Sequence, residues 1–300
     1  MGTPDFAVPC LDALINAGHN VVAVFTQPDK PKGRGYELTP PPVKARAIKH
    51  NIEVFQPSTM KSDEVYEIFK KINADVAVVV AYGKILPQRI LDVCKYGCIN
   101  VHASLLPKYR GAAPINWAVI NGESESGVTT MQMDSGLDTG DMLLKAVTPI
   151  GTNDNAGQLH DRLSQMGAEL IVETLEKIQK GEIISQKQGE TTTDYARMLD
   201  KSMCLINWND SAGKVHNLVR GLSPYPTAFT MVNGKKLKIY QTELCDKNGE
   251  AGQILSTEPL TIACGSGSVI IKELQLEGKK RMDSEVFLRG HSLKINSLIG

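Results

Sequence analysis

Short apolar runs alternate with helical stretches through the first half of the chain, and that alternation restricts the fold more than any other feature. Residues 21–25, 76–80, 98–103 and 128–133 are near-continuously apolar and rich in β-branched side chains, as strands covered on both faces must be. Between them, 8–17, 43–50 and 62–72 read as helices, and 157–180 carries apolar residues at helical intervals up to Gly181, a C-cap. The pattern predicts a Rossmann-like, doubly wound, mostly parallel α/β sheet. Such a sheet normally opens on an apolar strand that delivers a glycine-bearing turn into a helix. Here Met1, Gly2, Thr3, Pro4 and Asp5 read as that turn with no strand before it. The expectation is that a central strand upstream of Met1 completes the sheet.

The second half reads differently. Residues 189–203 are polar and rich in Thr, which marks a linker. A short helix at 209–220 and a turn-rich stretch at 221–226 follow. Short β segments then come broken at Asn233-Gly234, at Asn248-Gly249 and at the glycines Gly265 and Gly267, the pattern of an antiparallel barrel or sandwich. A chain of 300 residues has length for two domains, and the boundaries expected are 1–188, a linker at 189–206, and 207–300.

Lys+Arg and Asp+Glu number 33 each, but the balance is uneven: residues 1–210 hold 21 basic and 25 acidic side chains, and residues 211–300 hold 12 and 8. The basic end hints at a polyanionic partner. The six cysteines lack the spacing of a disulfide framework, which suits reduced thiols in the cytoplasm. Cys94 and Cys98 have no second pair at zinc spacing, so no metal is expected. No apolar run reaches the roughly 18 residues that span a bilayer.

Residues 98–117 (CINVHASLLPKYRGAAPINW) concentrate the unusual chemistry. Asn100 and His102 are two apart on an expected strand, so an amide and an imidazole share one face, at the carboxyl end where open α/β sheets hold their ligands. A loop of Pro and small residues carrying Lys108 and Arg110 follows, suited to close backbone approach by a ligand. Residues 127–143 place Asp134, Asp138 and Asp141 among glycines. Spacing alone leaves open whether these aspartates form a cation loop, though the closing Glu of an EF-hand is absent, or whether one carboxylate meets His102.

These segments, together with GTPDFAVP, TQPDKPKGRG, PPVKARA, AYGKILP, LHDRL, VRGLSPYP and EGKKRMDSEVFLRGH, resemble the methionyl-tRNA formyltransferase family over essentially the whole chain. The resemblance implies the formyltransferase fold followed by an antiparallel OB-like β-barrel that binds tRNA. It implies a catalytic set of Asn100, His102 and Asp138, and folate contacts at Ser104, Leu105, Leu106 and Pro107. The basic loop at 30–35, with Lys30, Lys32 and Arg34, matches the family's loop for the acceptor end of initiator tRNA. Lys235, Lys236, Lys280 and Arg281 add basic groups for tRNA in the second domain. The implied reaction moves the formyl group of 10-formyltetrahydrofolate onto the methionine amine of initiator methionyl-tRNA, in a cytoplasmic monomer with no metal. The residues suit it: Asn100 and a protonated His102 can supply donors to an oxyanion, and Asp138 can hold the imidazolium and relay a proton.

Overall fold

The computed structural model describes residues 1–32 and 37–300, with the backbone alone at Lys32. Its contacts divide into two units, one of residues 1–111, 127–148 and 160–195, the other of 112–126, 149–159 and 196–300.

In the first unit, α1 (Val8–Asn16) carries Pro9 in its first turn, where a fixed backbone and a missing N–H are tolerated. The strand β1 (Val24–Phe25), the hairpin β2 (Lys30–Lys32) and β3 (Glu37–Thr39), α2 (Pro42–Lys49) and β4 (Val54–Phe55) come next. Then come α3 (Asp63–Ile72), β5 (Ala77–Val79), α4 (Gln88–Leu91) and β6 (Cys98–His102). α3 shows why its sequence forms a helix there. Ser62 caps it by accepting from Val65 N–H, Asp63 and Glu64 occupy the first turn, Lys70 and Lys71 the last, and Asn73 ends it in the left-handed conformation. The strands β7 (Glu125–Gln132) and β8 (Met142–Pro149) continue the sheet, and most of α6 (Ala156–Lys180) follows in this unit, whereas α5 (Pro114–Ile120) belongs to the second.

β1 pairs with β4 in parallel, β5 pairs with β6 in parallel, and β6 pairs with β7 antiparallel, giving the order β5-β6-β7-β8. The parallel expectation thus holds up to β6. From β7 onward the sheet is antiparallel, a pairing that the apolar composition of 128–133 does not distinguish from a parallel one. Gly2 joins the two parts of the sheet, donating to the Phe25 carbonyl (3.0 Å) and bridging Val80 in parallel.

The second unit contains α7 (Ala212–Leu222), β9 (Ala228–Val232), β10 (Lys235–Cys245), β11 (Ile254–Thr257), β12 (Leu260–Ala263), β13 (Ser268–Leu276), β14 (Met282–Asp283) and α8 (Ser284–Gly290). Asn233 and Gly234 both have positive φ (49° and 73°), the two-residue turn that matches strand twist, and they connect β9 to β10. The antiparallel order is β11-β12-β13-β10-β9 with β14 on β13. Among the described residues no pairing joins β9 to β11, so the path is an open sheet. Val219 and Leu222 of α7 are buried with Leu237, Ile239, Val269 and Ile271 of the sheet. Trp208 is buried with them, its indole N–H donating to Thr230 Oγ1 (3.0 Å), the core position expected of a Trp with one polar partner.

His216 is buried in this unit between two fixed partners. Nε2 faces the Thr152 carbonyl (2.9 Å), which can only accept, so Nε2 carries the hydrogen and Nδ1 accepts from Thr242 Oγ1 (2.9 Å). Burial, and after it the neighbouring Arg220 charge, pull the imidazole below its usual value of 6.5, against the Thr152 bond, which raises it. The unfolded chain therefore takes up this proton first, so the stability held by neutral His216 is complete above pH 6.5 and is lost as pH falls toward the folded value. A pH series of thermal melts from 7.5 to about 5 should show a drop that His216→Gln reduces. Identical pH dependence in the two proteins would rule out His216 as its source.

Candidate active site

Asn100 and His102 share one face of β6, and Val101 between them points to the other. On that other face, a Cβ on Gly167 of α6 would stand 2.9 Å from Val101 Cγ1, closer than real side chains approach. The helix thus lies directly against the back of the strand that carries the site. Cys98 shares the face of Asn100 and His102 but is fully buried, and burial pushes its thiol up to about 12. It is not poised as a nucleophile.

The loop after β6 runs back toward the imidazole. His102 Nε2 lies 3.0 Å from the Tyr109 carbonyl, which fixes Nε2 as the protonated nitrogen. Nδ1 is left facing Asp138, 3.7 Å from its Oδ1. The His102 side chain is 6% exposed and that of Asp138 23%, so the imidazole is buried and the carboxylate is the more accessible of the two. Asn100 Nδ2 reaches the same carboxylate oxygen at 3.5 Å, and Gly111 N–H donates to the other at 2.9 Å. Of the two readings of the three aspartates, the structure brings Asp138 to His102. Asp134 instead accepts from Gly136 N–H (3.0 Å) and Thr139 Oγ1 (2.8 Å), closing its own turn.

Tyr109 and Asp138 both adopt left-handed backbone conformations, with φ of 56° and 55°. Non-glycine residues there cost on the order of 1–2 kcal/mol each and persist only where neighbours fix them. The neighbours are specific. Thr193 Oγ1 accepts from Tyr109 N–H (2.8 Å). Gln188 Nε2 donates to the carbonyls of Asp138 and Gly140 (2.8 Å each), while its Oε1 accepts from Arg110 Nε (2.9 Å). A Cβ on Gly140 would stand 1.8 Å from the Gln132 carbonyl oxygen, so only glycine lets the aspartate loop lie this close to β7.

The residues with implied folate contacts form a pinned turn beside this set. Thr129 Oγ1 donates to the Ser104 carbonyl (2.7 Å) and accepts from Leu106 N–H (3.1 Å). Lys145 Nζ donates to the Leu106 carbonyl (2.6 Å), and burial holds its ammonium below the usual lysine value. Ser104 Oγ donates to the Lys108 carbonyl (2.6 Å). Leu106 packs with Met131 and Met142, and Leu105 and Pro107 flank it.

The basic residues are placed separately. Lys30 lies on β2, opposite Thr39 of β3. The base of that hairpin is fixed by Asp29, whose carboxylate accepts from Lys44 Nζ (2.8 Å) and Gln56 Nε2 (2.7 Å), bonds that hold it below the usual range. Of Lys32 only the backbone is described, and Arg34 lies outside the described residues. In the second unit Lys235 and Lys236 begin β10, and the Lys236 ammonium stands over the Phe229 ring (4.0 Å). Lys280 is exposed. Arg281 is engaged, its Nε donating to Glu273 (2.5 Å) and its guanidinium lying over Tyr240 (4.1 Å).

Sequence reasoning did not single out Gln188, Thr193, Thr129 or Lys145. Each acts by satisfying backbone groups of irregular loops, and such work leaves no periodicity or motif in a single sequence.

Gln188→Ala should release the Asp138 turn while leaving global stability within about 1–3 kcal/mol of the parent. Hydrogen exchange at the Gly111 amide, which Asp138 holds, should then speed up more than exchange in β6. An unchanged Gly111 rate in a folded variant would show that Gln188 does not fix the carboxylate.

The formyl transferase family profile matches residues 1–175, and the formyl transferase C-terminal domain profile matches residues 198–292. Methionyl-tRNA formyltransferases of Citrifermentans bemidjiense and Geobacter sulfurreducens are each 52% identical, the match covering 100% of this chain and 95% of theirs. That of Acetivibrio thermocellus is 50% identical, covering 100% and 98%. Among solved structures, the sugar 3N-formyl transferase WlaRD, determined with dTDP and 5-N-formyl-THF, superposes with a TM-score of 0.71 at 22% identity over 93% of this chain and 97% of that one. The N-formyltransferase of Helicobacter canadensis gives 0.68 at 22% identity, over 91% and 97%. The solved structures share the fold, and the identity along the whole length is what assigns the family: the chain belongs to the methionyl-tRNA formyltransferases.

Proposed function

We propose that this protein transfers the formyl group of 10-formyltetrahydrofolate to the α-amino group of methionine on initiator methionyl-tRNA. The observation that carries the reading is the convergence of Asn100, His102 Nδ1 and Asp138 at the carboxyl end of β6, in a chain of this family throughout. The donor set suits formyl transfer between two external groups. It holds two N–H groups, a carboxylate and an imidazole nitrogen, and its cysteine is shut away.

The folate supplies a formyl carbon activated toward amines. The pinned turn of Ser104, Leu105, Leu106 and Pro107 is anchored from beneath by the buried cluster of Leu106, Met131 and Met142, which holds its backbone ready to meet a flat ring. Asn100 Nδ2 presents an N–H toward negative charge building on a carbonyl oxygen, a donor typically worth about 2.7–4 kcal/mol of transition-state stabilisation. Because Tyr109 holds the Nε2 hydrogen, proton movement at His102 takes place at Nδ1. Asp138 stabilises the imidazolium and, through a water, accepts the proton that the attacking amine loses. Collapse of the tetrahedral centre then breaks the bond between the formyl carbon and the folate nitrogen, which takes up a proton and leaves as tetrahydrofolate. The amine needs little help, since an α-amino group titrates near ~8 and a useful share is neutral at pH 7.

We assign tRNA recognition to the basic loop with Lys30, Lys32 and Arg34, and to residues 207–300 as an OB-like platform bearing Lys235, Lys236, Lys280 and Arg281. Arg281 contributes least of these, being paired with Glu273. The protein acts as a cytoplasmic monomer in this reading. A sugar amine as acceptor is the second reading, favoured by the fold shared with WlaRD.

Transfer of labelled formyl from 10-formyltetrahydrofolate to initiator methionyl-tRNA, with elongator methionyl-tRNA and an amino sugar nucleotide alongside, tests the proposal. Selective labelling of the initiator is expected, and labelling of the sugar alone would replace the reading with the second one. His102→Ala should lower kcat by about 10²–10⁴-fold while tRNA binding is retained. Arg34→Ala should raise KM for tRNA and flatten its salt dependence with folate binding intact. Equal loss for both substrates would remove the loop from tRNA recognition.

A further inference from the structure

A polar pocket of about 100 Å³ opens in the second unit, walled by the start of α6, by α7 and by the middle of β10. All of its lining residues belong to that unit, and none belongs to the set around His102. Pockets for organic ligands usually run to about 300–1,000 Å³. This one has room for a few waters or one small ion.

Arg220 is its buried charge. The residue is 8% exposed, and Nε donates to Asn217 Oδ1 (2.8 Å) while Nη1 donates to the carbonyls of Gly151 and Asp154 (3.2 Å each). Both hydrogens of Nη2 are left without an acceptor among the described residues, yet Nη2 is not sealed in protein, so it opens on the pocket that Arg220 lines. Every acceptor of the guanidinium is neutral, because Asp154 turns its carboxylate to the Gly151 N–H (3.0 Å) and gives Arg220 only its carbonyl. Burial pulls the guanidinium below its usual value, against the opposing Asp154 charge. A cation buried without a counter-ion is costly, and an anion in the pocket removes that cost.

The start of α6 adds donors by independent means. Asn155 Oδ1 accepts from Gln158 N–H (2.9 Å), and Gln158 Oε1 accepts from Asn155 N–H (3.0 Å), the reciprocal pairing of a capping box. With each amide oxygen committed to a backbone N–H, the groups left over, Asn155 Nδ2 and Gln158 Nε2, can only donate. Both residues line the pocket, and neither nitrogen has an acceptor among the described residues. The positive end of the dipole of a 25-residue helix lies at the same place. Glu273, the carboxylate on the wall, has both oxygens bound by Arg281. His216 has both nitrogens engaged.

We propose that this pocket binds one phosphoryl group, held by Arg220 Nη2, Asn155 Nδ2 and Gln158 Nε2 at the amino end of α6. Its size suits a single-ion pocket, its several oxygens accept from separate donors at once, and its charge answers the guanidinium. The excess of basic over acidic residues in 211–300, 12 against 8, adds a favourable field. Two sources present this chemistry, the backbone of tRNA and free phosphate. The first rests on the reaction proposed above, and the second does not.

Arg220 also holds the loop at 151–154, so the test leaves it in place. Asn155→Asp with Gln158→Glu keeps both capping bonds and turns two donors into charged acceptors. Asn207→Asp with Asn248→Asp makes the same charge change in the same unit outside the pocket, at side chains that also accept from backbone N–H groups. In the full parent chain, inorganic phosphate titrated against chloride at constant ionic strength should give saturable NMR shifts at the Asn155 and Gln158 side-chain amides and the Arg220 guanidinium. Absence of those shifts overturns the proposal, and this titration decides even where a variant fails to fold. The pocket variant should bind phosphate at least tenfold more weakly at an unchanged or raised melting temperature, with the control variant like the parent. Undiminished binding in the pocket variant, or equal loss in the control, would also overturn it. The salt dependence of binding to initiator methionyl-tRNA then separates the sources. A slope of log Kd against log salt that is shallower by about one in the pocket variant alone assigns the group to the tRNA backbone. An unchanged slope with phosphate binding lost assigns it to free phosphate. The phosphate titration needs neither tRNA nor turnover, so the pocket and the proposed reaction fail separately.

Discussion

The hydrogen bond from His102 Nε2 to the Tyr109 carbonyl is the interaction on which the arrangement of the candidate site depends. An imidazole left to itself exchanges its hydrogen between two nitrogens, and either could face a substrate. A carbonyl acceptor on one side removes that freedom and leaves Nδ1 as the nitrogen that faces Asp138. Tyr109, which supplies that carbonyl, is held in a left-handed backbone conformation. The bond therefore ties a local strain to the orientation of the imidazole.

Irregular backbone near a buried site must find partners that regular structure would otherwise supply. Here side chains supply them: Thr129 and Lys145 for the turn at Leu106, Thr193 for Tyr109, and Gln188 for the turn at Asp138. Each partner lies on a different element from the loop it serves. The loops are thus held by long-range contacts, while Asn100 and His102 stand 3.5 and 3.7 Å from the Asp138 carboxylate. Catalytic hydrogen bonds that are long before a ligand arrives can shorten around it, and a stiff frame keeps that adjustment small.

This division of labour decides what a single sequence discloses. Asn100 and His102 are legible because a strand period of two puts them on one face, and the apolar run around them names the strand. The helices were legible from caps and periodicity, as at Ser62 and Asn73 of α3. The meeting of Asp138 with His102 was an open alternative, because nothing in the spacing of three aspartates says which way a glycine-rich turn folds. Thr193 lies inside a polar stretch that reads as a linker, and Gln188 is the last residue before it. A side chain that serves a distant backbone carbonyl makes no pattern along its own segment. The direction of β7 was likewise hidden, since buried parallel and antiparallel strands share one composition.

The sheet itself carries the same lesson to the frame of the site. β6 stands between β7, which holds it by an antiparallel ladder, and β5, which holds it by a parallel one. On its other edge β5 takes the Met1 amine at the Val78 carbonyl and gives Val80 N–H to the Met1 carbonyl. Any shift of β5 reaches Asn100 through its register with Val79. The loop partners fix Tyr109 and Asp138 against β6, and the ladders to β5 and β7 fix β6 within its own sheet.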